Sequence, residues 1–262
     1  MKTNKKNVLS LFILTFFVVQ NFYSQKTNLK LAENNLCKLY SNISKEDDLA
    51  YENSEKFEKE FIKILKVNPS TLNYDFKTLI DKKCCYVETS SDGNFRIYSW
   101  DTETGGTMHF FKTIYQYKNN SKVYLKVPTY EEGDSGAFCS KIFDVKIGNK
   151  TYYLPITNAI FSTKDASQSI SVFNIEGNKL ADSEKLFKTK TKMLNRIDVE
   201  FDFFSVVDRP ERPLQLISFD AKKNIIYIPV VNEKMQVTEK YFLYQLSDNL
   251  FKYIGVEKGK RK

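Results

Sequence analysis

The sequence has 262 residues, with 40 Lys and Arg against 32 Asp and Glu, a formal charge of +8, and one histidine and one tryptophan beside 21 Phe and 16 Tyr. Much of the basic excess sits at the ends, in Lys2, Lys5 and Lys6 and again in Lys258, Lys260, Arg261 and Lys262, so it describes no basic binding face and argues against nucleic acid as a partner. A single histidine argues against Cys-His proteases and two-histidine metal sites.

The chain opens with a basic stretch followed by an apolar run from Val8 to Val19, the layout of a secretory signal peptide over residues 1–24. That run is shorter than the roughly 20 residues a membrane-spanning helix needs. The expectation is therefore an exported protein, periplasmic or extracellular, with no membrane span once the leader is cut. Residues 25–262 can bury about 70% of the unfolded chain's surface, so stability does not require cross-links.

A helical region is predicted over residues 25–83. Leu29, Ala32, Leu36 and Leu39 recur at helical spacing, and Ala50, Phe57, Phe61, Ile64 and Leu65 line one face of a second helix. That second helix starts from Ser44 as N-cap, with Glu46, Asp47 and Asp48 in its first turn, and stops before Pro69. Ser70 reads as the cap of a third helix through Ile80. From Cys84 to Val256 the texture changes to short alternating runs separated by Gly and Asn turns, which predicts an antiparallel β region. The fold class is α+β: helices packing on a long antiparallel meander, with a partial propeller-like or barrel-like arrangement as the alternative. Residues 257–262 read as a basic disordered tail.

Four cysteines, Cys37, Cys84, Cys85 and Cys139, allow up to two disulfides in an oxidising compartment, with four buried thiols as the other reading. Neighbours on a strand point to opposite faces, so Cys84 and Cys85 would take separate partners, Cys37 and Cys139. No CxxC, EF-hand spacing, dinucleotide fingerprint or phosphate loop occurs, and no metal or cofactor is expected.

Several stretches bear on chemistry. In FRIYSWDTETGGTMHFF, Trp100 and His109 flank a turn whose Gly105 and Gly106 are expected to supply the positive φ of a reversal. No catalytic partner for His109 is visible nearby. The aromatic strands on either side are either buried between layers or present a contact surface. The candidate binding residues are accordingly Tyr98, Trp100, Asp101, His109 and Tyr115. The string GDSG, Gly133 to Gly136, is similar to the nucleophile loop of chymotrypsin-like serine proteases, but the one candidate base, His109, lies 26 positions before Ser135 without the expected flanking residues. An acidic surface loop is the simpler reading. In RIDVEFDFF a strand would put Asp198, Glu200 and Asp202 on one face, about 6.5 to 7 Å apart. That is a solvated face matched by a lysine strand such as KLFKTKTK, a cation site, or a carboxylate pair for glycan hydrolysis.

FRIYSWDTETGGTMHFF, the aromatic strand after it, TYYL, IIYIPVV and TEKYFLYQL together resemble a group of exported, β-rich bacterial proteins without assigned activity, over Asp81 to Gly255. The resemblance implies fold and location and carries no catalytic residues. The functional expectation is a non-catalytic binding or interaction protein for a protein or glycan. A carboxylate-dependent hydrolase, using Asp198, Glu200 and Asp202 or Asp101 and Glu103, and a structural envelope component are the alternatives.

Overall fold

Leu29, Glu33, Leu36 and Cys37 share one buried stripe, and residues 28–41 are accordingly helical (α1) in the computed structural model, which describes residues 28–43 and 49–259. The leader read over residues 1–24 lies outside the described residues, as do the cap assigned to Ser44 and the acidic turn after it. Helix α2, Ala50–Val67, buries Phe57, Phe61, Ile64 and Leu65 and lays the pairs Glu52–Lys56 and Glu55–Lys59 along its wet face. It ends at Asn68, whose side chain donates to the Ile64 carbonyl at 2.9 Å, ahead of the proline.

The third helix read from Ser70 is two pieces, a 3-10 turn Pro69–Asn73 and a short helix α3, Lys77–Asp81. Phe76 breaks them apart with a left-handed backbone, φ 47°, that drives its ring into the core against Phe61 and Tyr98. The free N–H groups at the start of α3 are taken from outside by the buried carboxylate of Glu33, which accepts from Thr78 and Leu79 and from the Tyr74 hydroxyl.

Sixteen strands follow among the described residues, in three sheets. The helix-side sheet is the meander β1–β4: Tyr86–Thr89, Phe95–Asp101, Phe111–Asn119 and Lys122–Lys126. The central sheet is built on the long strand β6, Lys150–Ile160. On one edge β6 pairs with β5, Phe138–Ile147. On the other it pairs with β7, Asp165–Ser171, then with β8, Phe173–Glu176, which continues to β9, Lys179–Ala181. After β10, Phe187–Lys188, and β11, Met193–Leu194, the strand β12, Arg196–Asp202, returns to pair with β7. The outer sheet has the order β11-β10-β16-β15-β14-β13, with β13 Ser218–Asp220, β14 Ile225–Val231, β15 Val237–Ser247 and β16 Leu250–Lys258. All pairs are antiparallel except β10 with β16, and no sheet closes into a barrel, so the fold is α+β with a largely antiparallel β region.

Four layers result: helices, helix-side sheet, central sheet, outer sheet. Tyr98, Trp100 and Ile114 meet the helices. Phe95, Ile97 and Tyr117 meet Tyr153, Phe173 and Leu180 of the central sheet. Leu154, Ile156 and Ile170, on the opposite face of that sheet, meet Ile226, Ile228 and Phe251 of the outer one. Glu257 and Lys258, read as the start of a disordered tail, belong instead to β16, because β15 is long enough to pair them with Tyr241 and Lys240; residues 260–262 lie outside the described residues. No described helix is long and apolar enough to cross a membrane.

Candidate functional site

The rare residues of the β2–β3 hairpin divide sharply. Tyr98 and Trp100 are 0% and 1% exposed, with Trp100 edge-on to Phe57 at 5.3 Å and Tyr98 edge-on to Phe61 at 5.2 Å. They are core rather than contact surface, because α2 covers that face of the sheet. The Tyr98 hydroxyl is used internally, donating to Gln116 at 2.7 Å. Beside it the buried Arg96 donates to Thr89 and to the carbonyls of Thr71 and Tyr74, tying the 3-10 turn to the sheet.

His109 does have a partner: its Nδ1 contacts an Asp101 carboxylate oxygen, while the other accepts from the Glu103 backbone N–H at 2.9 Å. The positive φ of this loop is at Glu103, 54°, and not at the two glycines. Gly105 is needed because a Cβ there would collide with the Met108 carbonyl. The Glu103 carboxylate in turn accepts from the Tyr40 hydroxyl at 3.3 Å, so the loop end is tied to α1. The His–Asp pair is a loop clasp. No hydrogen bond joins it to Ser135, whose hydroxyl lies 3.1 Å from the Gly136 carbonyl.

GDSG is a tight turn pressed onto the start of β3. Phe111 N–H donates to the Ser135 carbonyl at 2.7 Å, Gly136 N–H donates to the Asp134 carboxylate at 2.9 Å, and a Cβ on Gly136 would strike the Phe111 carbonyl. The segment from Pro128 to Ala137 thereby becomes a wall. On its helix side lies a cleft of about 770 Å³ bounded by Glu55, Glu58 and Lys112, where the Lys112 ammonium sits over the Tyr130 ring. On its other side lies a groove of about 380 Å³ with a mixed polar and apolar lining.

The floor of that groove is the face of the central sheet that the helix-side sheet leaves uncovered. Register sets its composition: Ser167, Ser169 and Ser171 of β7 pair with Glu200, Asp198 and Arg196 of β12, while Thr157 and Ala159 of β6 pair with Ser169 and Ser167. With period-two alternation, three strands thus present hydroxyls and charges on one face and Ile156, Ile170 and Val199 on the other. Tyr115, Thr113, Tyr130 and the Ser135 turn form the walls.

Within the floor Arg196 donates to Asp198 at 2.6 Å and to Ser169 at 2.8 Å, and Ser169 donates to the same carboxylate oxygen at 2.7 Å. The Glu200 carboxylate has no hydrogen bond or ion pair among the described residues, and the Thr157 hydroxyl, at the groove, is buried without a partner. Asp202, the third acid of the strand, is drawn away, accepting from Phe204 N–H and pairing with Lys164 at 3.7 Å. The expected lysine match fails too: Phe187 and Lys188 belong to the outer sheet, and Arg196 supplies the counter-charge.

Sequence reading found Tyr115, Ser135, Asp198 and Glu200 without bringing them together, and missed Arg196, Thr157 and the serine row. The period-two serines of SQSIS were the available signal.

All four cysteines are free and buried. Cys37, Cys84 and Cys85 lie in the helix-side core and Cys139 in the core on the opposite face of the helix-side sheet, so the pairing of Cys139 with Cys84 or Cys85 is excluded by the sheet between them. Among the described residues no cluster of three or more His, Cys, Asp or Glu side chains could hold a metal ion. No protein-family model matches the sequence, and no curated protein matches it.

Proposed function

We propose that this chain is an exported binding protein without catalytic activity, and that the groove between the helix-side and central sheets takes a glycan chain. One observation carries the reading: a three-strand floor of serine and threonine hydroxyls with an Arg196–Asp198 pair, an unpartnered Glu200 and a buried, unpartnered Thr157 hydroxyl. A polyhydroxylated ligand both donates and accepts hydrogen bonds, as such a floor requires, and Tyr115 and Tyr130 offer ring surface to sugar C–H groups. The volume lies in the range of about 300–1,000 Å³ usual for ligand sites. Export is supported by the leader pattern of residues 1–24.

The test is titration of the purified full-length chain with soluble glucan, chitin and peptidoglycan oligosaccharides. Saturable binding to at least one is expected, weakened about tenfold or more by Tyr115→Ala and by Glu200→Ala. Failure to bind any of them, with stable co-purification of envelope proteins, would end the glycan reading in favour of a structural envelope component.

A second reading has its own observation. Asp198 and Glu200 share the groove face at a strand spacing of about 6.5–7 Å, which overlaps glycosidase carboxylate separations. Against it, Arg196 and Ser169 already occupy the Asp198 carboxylate, at 2.6 and 2.7 Å. Release of new reducing ends, abolished by Glu200→Gln with binding retained, would establish the hydrolase.

A further inference from the structure

We infer that Cys37 and Cys84 form a disulfide in the oxidised protein, tying α1 to the end of α3, while Cys85 and Cys139 remain thiols. The backbone on both sides of the bridge is fixed independently of sulfur. One turn before Cys37, the Glu33 carboxylate holds the N-terminus of α3, accepting from Leu79 N–H at 3.1 Å and from Thr78 N–H. At the other end of that short helix, Cys84 N–H donates to the Leu79 carbonyl at 2.8 Å. Between these anchors the two thiols lie in the same helix-side core, near enough to act on each other, with the Cys84 sulfur 3.7 Å from the Lys82 carbonyl.

The competing thiols are placed differently. Cys85 turns its sulfur to the Tyr86 carbonyl at 3.3 Å. Cys139 sits across the helix-side sheet, its N–H on the Ser99 hydroxyl and its sulfur 3.4 Å from the Lys141 carbonyl. Cys37 and Cys84 are 3% and 4% exposed, so the bridge closes while the chain folds and not after the core has shut.

Closure is thiol–disulfide exchange with a small disulfide. One cysteine thiolate attacks glutathione disulfide and expels a glutathione thiolate. The second thiolate then attacks the mixed disulfide at the protein sulfur and expels the other glutathione. The two cysteines lose two electrons and two protons, and one glutathione disulfide becomes two glutathiones. The bridge spans α2 and closes a loop of some forty-odd residues, a length at which cross-linking constrains the unfolded chain strongly.

The test is refolding of the full-length chain in a buffer of reduced and oxidised glutathione, then denaturation without reductant and counting of thiols with a mass-shifting maleimide. Two free thiols are expected in the wild type and one in each of Cys85→Ala and Cys139→Ala. Non-reducing proteolysis of the wild type is expected to give a peptide with Cys37 joined to the Cys84–Cys85 stretch, and reduction to lower the melting midpoint by about 5–10 °C. Four or no free thiols in the wild type, or three in Cys85→Ala, would overturn the assignment. Refolding needs neither export nor glycan, so this result stands apart from the oligosaccharide titration.

Discussion

Strands β2 and β12 each have seven residues, yet they do opposite work. Six of the seven residues of β2 are buried, because helices cover one face and the central sheet the other. In β12 only Val199 and Phe201 are buried, on the face toward the core, while Arg196, Asp198 and Glu200 line the groove. The strand with the chain's one tryptophan is a packing element. The strand made of common residues carries the candidate site. Rarity marks side chains that are hard to replace in a core, whereas a recognition surface can be assembled from ordinary serines and carboxylates when three strands place them side by side.

The contrast breaks first at Trp100. Trp100→Ala leaves a cavity beside Phe57 and Phe61 of the helix-side core and is expected to cost about 3–5 kcal/mol in urea unfolding. A cost under about 1 kcal/mol would mean that α2 does not seal this face. Arg96→Met comes next. It strips partners from the Thr71 and Tyr74 carbonyls and is expected to cost about 2–3 kcal/mol, read by the same unfolding curve.

A smaller effect depends on pH. Burial between the sheets pushes the Glu88 carboxyl up from 4.5 to about 7, with Lys141 opposing the shift. The folded protein therefore holds this proton more tightly than the unfolded chain, so stability from Glu88 is present at low pH and is lost as pH rises from about 4.5 through about 7. Glu88→Gln should be more stable than the wild type by roughly 1–3 kcal/mol at pH 8 and indistinguishable from it at pH 4. Melting at both pH values checks the sign. Smallest is Glu200→Ala, expected to move stability by no more than about 0.5 kcal/mol while it weakens glycan binding. A large stability loss there would dissolve the distinction between the two strands.

The fold class, the two long helical stripes and the change from helices to strands near Cys84 were legible because each rests on local periodicity. The split of the third helix was not, since Phe76 adopts a left-handed backbone for a tertiary reason, the pocket offered by Phe61 and Tyr98. The acids of β12 were visible as a face, but the groove needs β6, β7 and β12 in one register, and β12 reaches β7 only after the chain has passed through the outer sheet. The His109–Asp101 clasp was missed because its eight-residue separation crosses an irregular loop whose geometry is set by Gly105 and Glu103.

Strand β6 carries a wider consequence. Its Leu154 and Ile156 belong to one core, its Tyr153 to another and its Thr157 to the groove floor, all within five consecutive positions. One residue inserted in this stretch would turn Ile156 outward and Thr157 inward together, since a strand has no third direction. The groove floor is therefore not an ornament that can be lost or grafted while the scaffold stays. Deletions of even length in β6 keep the core's alternation, but any odd one erases the groove floor and foldability in a single step.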